Sequence, residues 1–371
     1  MATTERAPLL SSGGVPTQRD SAPPRSSQSV RVGLGMMETS VASMALGVCG
    51  LGVTWQVATQ YLLAGKVVKV AADIISLVSF NVGTTLFLAY MTKVAMMPKA
   101  VIEDALSADG NANLPCLAMA LMMMAWWLDI HGFHGVGRVL WVVAVVAHVG
   151  LLLLFCVRHL SKREWDPMTP AWMIPTVGIA MAAGTGASIG IGAWTGVFFW
   201  LALAAFIVQY PAVLYRVHVH PSIISDEDEL LYPLFAAPAA VLLSSWISMG
   251  GHQGHALTHF LFLVEMVSIV LVAMRLPHLT GLASLTAGKA PTTAYAFPCD
   301  VAAKACVLYT HLYLTGSTVM VVCCWFFVAV ATAAVCISLT KFVRNSLDAL
   351  AAAKQFVPGE RVVPQENDYE L

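Results

Sequence analysis

Two residues of opposite charge, Asp300 and Lys304, stand one helical turn apart inside an apolar stretch. Charges within a membrane-spanning helix are costly, so they pair, line a substrate path or relay protons. At a spacing of i and i+4 the two can neutralise each other as an ion pair. Alternatively, Lys304 attracts an anion while Asp300 exchanges a proton or opposes passage until protonated, which suits proton-coupled carboxylate transport. Glu265 is the other deeply placed acid. An outer helix has no use for a charge, so a partner on a neighbouring helix or subunit is the simpler reading than contact with a substrate. His252, His255 and His259 can stack on one helix face, but a glycine interrupts them and no carboxylate or cysteine completes a metal set. A pH-sensitive mouth is the second reading of that cluster. His218 and His220 adjoin the acidic run Asp226, Glu227, Asp228 and Glu229. That segment reads as a solvated loop whose negative field disfavours anions approaching from its side.

Other chemistries find no support. All eight cysteines (Cys49, Cys116, Cys156, Cys299, Cys306, Cys323, Cys324 and Cys336) fall in apolar segments without framework spacing, and they read as small packing residues. A haem enzyme would need facing mid-helix histidines, and only His148 and His311 are placed for that. Neither G-x-S-x-G nor H-E-x-x-H occurs, so no hydrolase constellation is expected. No catalytic residue, cofactor, resident metal or nucleic-acid partner is implied, and the chain is not expected to be an enzyme.

The elements that must position these residues are membrane helices. Hydrophobic residues make up 58% of the chain and charged residues 11%, against about a quarter charged in soluble domains. Mean hydropathy is +0.74. Ten apolar segments are expected at 39–63, 68–92, 112–130, 136–157, 170–188, 190–214, 231–250, 256–275, 292–313 and 317–340. Prolines expected inside helices, at Pro115, Pro175, Pro233 with Pro238, and Pro298, recur at intervals of about 60 residues, the length of a helical hairpin. The first segment carries Gly47, Gly50 and Gly52 in the equivalent place, and the even-numbered segments have no proline in their middles. Proline frees a backbone carbonyl, which lipid does not tolerate, so the broken helices belong inside, around a cavity. The fold expected is an all-α polytopic membrane protein: five helical hairpins with odd helices inside and even helices outside.

Ten spans put both termini on one side. Of the 20 Lys and Arg residues, Lys66, Lys69 and Arg138 fall opposite, Lys304 lies within a span, and the other sixteen are on the side of the termini. The positive-inside rule then places both termini in the cytosol. Residues 1–32 read as a disordered tail, 33–341 as the transmembrane domain and 342–371 as a second cytosolic tail.

The segment Ala171-Trp172-Met173-Ile174-Pro175-Thr176-Val177-Gly178 resembles the "W-x-I-P-x-V-G" fifth helix of the tellurite-resistance/C4-dicarboxylate transporter family, which includes slow-type anion channels and malic acid transport proteins. Gly50-Leu51-Gly52-Val53-Thr54-Trp55 is similar to its first helix, and Tyr295-Ala296-Phe297-Pro298 to its ninth. The resemblance spans nearly everything but the tails. It implies a quasi-fivefold bundle of five hairpins, a homo-oligomer that is commonly a trimer, and one pore per subunit. It also implies that Phe297, before Pro298, plugs the pore. Asp300 and Lys304 follow Phe297 by three and seven residues, within about 60 degrees on the same helix face. The helix breaks expected to line the pore are Gly47, Gly50, Pro115, Pro175, Gly178 and Pro238.

The function expected is passage of small inorganic anions or C4-dicarboxylates such as malate through a pore gated by phenylalanine. A proton-coupled dicarboxylate carrier is the alternative, and a non-transporting receptor or scaffold is the alternative of another class. The run Glu5-Arg6-Ala7-Pro8-Leu9-Leu10 resembles an acidic dileucine sorting signal, so endosomal, lysosomal or vacuolar membranes stand beside the plasma membrane as locations.

Overall fold

The computed structural model describes residues 38–62, 64–161, 168–219, 225–251, 255–285 and 292–355. The tail 1–32 with the sorting-signal resemblance, residues 356–371, His220 and His252 lie outside the described residues. Every regular element described is helical. The first five helices are α1 Ser40–Tyr61, α2 Lys66–Met96, α3 Pro98–Leu106, α4 Ala108–Asn113 and α5 Pro115–Ile130. Next come α6 His134–Phe155, ending in a π-turn at Cys156–Leu160, then α7 Met173–Val177, α8 Ala180–Ser188 and α9 Gly196–Val219. The chain closes with α10 Asp226–Glu229, α11 Pro238–Ser248, α12 His255–Leu285, α13 Ala296–Tyr313 and α14 Thr318–Gln355.

Seven helical stretches among the described residues are long and apolar enough to cross a membrane. They fall into two kinds. The apolar windows of Ser40–Tyr61 and Gly110–Ile130 are 83% and 67% buried, whereas those of the other five are 22% to 33% buried. The exposed kind carries residues such as Val139, Val146, Val208, Leu263 and Phe326 on its outer surface, the composition a lipid-facing helix needs. The segments 170–188, 231–250 and 292–313 are not single long helices. Short 3₁₀ turns at Pro170–Trp172, Tyr232–Ala236 and Thr292–Tyr295 precede α7, α11 and α13, and the chain breaks again between α7 and α8 at Gly178.

Those breaks correct the expectation of prolines deep within helices. Pro115 and Pro238 open α5 and α11, Pro233 sits at the start of its 3₁₀ turn, and Pro298 falls in the first turn of α13. The missing N–H has no intrahelical partner to lose there, so proline starts these segments instead of kinking them. Two other prolines do lie inside helices of the exposed kind, Pro211 in α9 and Pro277 in α12. Both helices run past the apolar stretches that marked their ends in sequence. The last helix likewise continues beyond residue 341 to Gln355, and no glycine or proline occurs between Thr318 and Gln355 to stop it.

Consecutive helices pack together: α1 on α2, α5 on α6, α8 on α9, α11 on α12 and α13 on α14. Buried and half-buried indoles tie buried helices to exposed ones, because an indole N–H away from water needs an acceptor. Trp127 Nε1 donates to Ser76 Oγ at 3.2 Å, Trp141 to Thr185 Oγ1 at 3.0 Å, Trp246 to Thr258 Oγ1 at 3.2 Å and Trp55 to Thr332 Oγ1 at 3.0 Å.

Candidate functional site

A cavity of about 720 Å³ lies at the N-terminal ends of α1, α5, α11 and α13, where Ser40, Cys116, Pro238 and Pro298 line it. A second, of about 330 Å³, lies at the C-terminal ends of the same helices, lined there by Gln60, Ile130, Ser248 and Leu308. Phe297 and Val241 line both cavities. No lining residue of either comes from α2, α6, α9, α12 or α14.

The layer between the cavities is apolar. Leu46, Met119 and Val177 approach it from the first cavity, and Met123, Met181 and Val301 from the second. Phe297 is 7% exposed and Val241 3%. Glycines let α1 close onto α13 at this level. A side chain at Gly47 would put its Cβ 2.5 Å from Ala296 Cβ and 3.3 Å from the Phe297 nitrogen. At Gly50 a Cβ would meet the Asp300 carboxyl at 3.0 Å. One turn on, Thr54 Oγ1 donates to the Asp300 carbonyl at 3.0 Å.

Asp300 and Lys304 both line the second cavity, but they form no ion pair, which corrects the reading that they neutralise each other. The Asp300 carboxyl turns toward Gly50, is 1% exposed as a residue, and makes no hydrogen bond through either oxygen. Lys304 makes no hydrogen bond or ion pair with described residues. Four hydroxyls around it spend their hydrogens on helix carbonyls: Thr185 on Met181 at 2.6 Å, Ser188 on Gly184 at 2.8 Å, Ser244 on Val241 at 3.2 Å and Ser248 on Ser244 at 2.8 Å. Among the described residues Lys304 is the one cationic side chain lining this cavity.

Among the described residues the first cavity has no lysine or arginine in its lining, and its acids are Glu38, Asp104 and Asp228. Asp104 is paired with Lys93 at 2.7 Å. The positive potential available there comes from backbone. α11 and α13 begin at the cavity wall, and helix N-termini carry partial positive charge and unpaired N–H groups. The acidic run is not simply a solvated loop: Glu229 is paired with Arg275 at 2.8 Å and lies 3.2 Å from His278. The side chains of Asp226 and Glu227 lie outside the described residues.

Of the expected helix breaks, Gly50, Gly178 and Pro238 line a cavity, together with Pro298. Gly47, Pro115 and Pro175 line neither. Gly47 serves the α1–α13 approach, and the Pro175 carbonyl, freed by the break at Gly178, accepts from His148 Nε2 at 3.0 Å. That bond absorbs His148 into the scaffold. Gly178 lies against Met119, whose Sδ would be 2.8 Å from a Cβ there. Glu265 is paired with no cation among the described residues and is 0% exposed within the subunit. His255 pairs with Tyr313 OH at 3.2 Å and His259 with Tyr309 OH at 2.8 Å. Among the described residues no group of side chains is arranged to hold a metal.

Sequence reasoning passed over Val241 and Thr54. Val241 is one valine among many apolar residues and carries no signal of its own. Thr54 had one, a hydroxyl one turn after Gly50 on the same face.

Among curated proteins no relative matches the chain. A family model described as "voltage-dependent anion channel", SLAC1, matches residues 37–342, from just before α1 into α14. Its members move anions across membranes and are not enzymes. With most of its length matched, and with cavities meeting end to end inside an apolar helical bundle, the chain belongs to the voltage-dependent anion channel family, the grouping its helix-break motifs resemble.

Proposed function

We propose that anions cross this protein between the two cavities and that Phe297, with Val241, closes the path. The observation that carries the reading is that these two side chains line both cavities. A hydrophobic constriction gates by expelling water, because an ion does not shed its hydration cheaply. Helix starts at α11 and α13 favour an anion on one side, and Lys304 favours it on the other.

The reading includes ten passes. Seven are long apolar helices, and the broken segments 170–188, 231–250 and 292–313 supply three more. The packing of consecutive helices supports five hairpins around the path, with both termini cytosolic by the distribution of basic residues. A homo-oligomer, such as a trimer with one path per subunit, belongs to the same reading. So does a plasma, endosomal, lysosomal or vacuolar membrane.

Two mechanisms remain in competition: a gated channel for small anions, and a proton-coupled carrier for carboxylates such as malate. The second is favoured by the unpartnered Asp300 carboxyl beside an unpaired Lys304. Flux of chloride and of malate into proteoliposomes, wild type against Phe297→Ala, tests both. Current that needs no proton gradient and rises several-fold in the variant establishes the gated channel. Malate uptake that follows the proton gradient and is lost in Asp300→Asn establishes the carrier. Absence of flux under every gradient in folded protein defeats both and favours a receptor or scaffold.

A further inference from the structure

Glu265 lies on α12, none of whose described residues lines either cavity, yet it is 0% exposed. Neither of its carboxyl oxygens makes a hydrogen bond. The backbone N–H of Ala240 faces them without completing a hydrogen bond. Ala240 stands in the first turn of α11, immediately before Val241. Cys299, two residues after Phe297 at the start of α13, is also within electrostatic reach of this carboxyl. One buried acid therefore sits behind the starts of both helices that carry the constriction.

The groups around it leave the carboxyl uncompensated. Tyr210, on α9, is within electrostatic reach, but its hydroxyl is paired with Ser268 Oγ at 2.6 Å. Cys299 and Tyr210 are the titratable groups that face Glu265 from α13 and α9, and α11 presents none. Tyr232, in the 3₁₀ turn packed against α12, faces Arg275 instead. No lysine, arginine or histidine is paired with Glu265 among the described residues.

We propose that Glu265 is a positioning residue for the constriction and that its charge sets how readily anions pass Phe297 and Val241. This rests on the reading that the path runs past those two side chains. An ionised carboxyl at this place acts in two ways. It attracts the first-turn N–H groups of α11, steadying the turn that presents Val241. Its field, weakly screened by apolar surroundings, also opposes an anion at the constriction. A proton on Glu265 cancels both effects, so both push flux in the same direction. Acidification raises anion passage, and Glu265→Gln, which copies the protonated form in shape, mimics it.

The test uses the full chain in proteoliposomes, in a Phe297→Ala background that supplies measurable chloride flux, across a range of pH. Glu265→Gln is expected to raise flux by roughly threefold or more at the alkaline end of the range, where the buried carboxyl ionises, and to flatten the pH profile. Glu265→Asp, which keeps an ionisable group, retains a pH-dependent flux and serves if the glutamine variant is poorly folded. Asp300→Asn in the same background separates the two acids: pH dependence that survives this change and disappears in Glu265→Gln belongs to Glu265. A glutamine variant with an unchanged pH profile overturns the proposal, as does an aspartate variant whose flux ignores pH. Absence of chloride flux in the Phe297→Ala protein itself would instead defeat the permeation reading, so the two failures are distinct.

Discussion

The Thr54 hydroxyl on α1 donates to the main-chain carbonyl of Asp300 on α13, 3.0 Å away and sealed from solvent. It lies one turn from the position where Gly50 makes room for the carboxyl of the same residue. The first helix therefore holds Asp300 by its backbone and leaves its side chain unengaged.

Thr54→Val removes that bond while preserving shape and leaves a buried carbonyl with one fewer donor. Loss of about 1 to 3 kcal/mol of stability is expected. Thermal unfolding of the detergent-purified protein should show a lower midpoint, and a midpoint equal to wild type would mean the bond contributes nothing.

Val241→Ala should raise anion flux, but less than Phe297→Ala does, because a valine closes less of the path than a phenyl ring. The double variant should exceed neither additive expectation nor the open-path limit by much, since both side chains occupy one layer. Single-channel conductance of the three variants measures this, and a Val241→Ala channel indistinguishable from wild type would leave Phe297 acting alone.

Lys304→Gln should weaken anion binding at the second cavity and lower flux several-fold at low anion concentration, with a smaller loss at saturation. Lys304 is the only cation lining that cavity among the described residues, and its stem is otherwise compatible with glutamine. Concentration dependence of chloride flux reads the effect. An equal loss at all concentrations would point to a damaged fold instead of a lost attraction.

Gly47→Val should be among the most damaging single changes in the bundle. Its Cβ would lie 2.5 Å from Ala296 Cβ, forcing α1 away from α13 at the level of Phe297, and overpacking of this kind costs about 1 to 3 kcal/mol or more. Membrane-inserted yield and unfolding midpoint should both fall, whereas the same change at Gly135, which has open space around it, should be tolerated.

Much of the architecture was legible because lipid imposes simple rules. Long apolar runs and the prolines at Pro175, Pro238 and Pro298 marked the segments that are broken, and these line the cavities together with the continuous helices α1 and α5. Where the prolines sit within their helices was not legible. Composition does not say whether a proline kinks a helix or begins one, and the 3₁₀ turns ahead of α11 and α13 are set by tertiary packing. Asp300 and Lys304 were found by their charge, but their separation was not, because an i,i+4 spacing permits an ion pair without requiring one. Val241 was invisible for the opposite reason: nothing local distinguishes it from Val53 or Val301, and only the meeting of five helices gives it a role. Glu265 stood out as a charge on an outer helix, yet the half-helix it faces begins about 25 residues earlier in the chain, a distance no spacing rule bridges.

Two cavities reaching one apolar layer from opposite helix ends also shape the membrane's electric field. Conducting solution in each carries the potential of its own side inward, so the voltage drop is compressed across the thickness of Phe297 and Val241 instead of the whole bilayer. Each elementary charge crossing that layer then feels nearly the full membrane potential, about 2.3 kcal/mol per 100 mV. On the proposed path the barrier is geometrically thin yet spans nearly the whole electrical distance, so voltage acts on the anion at the step over the phenyl ring.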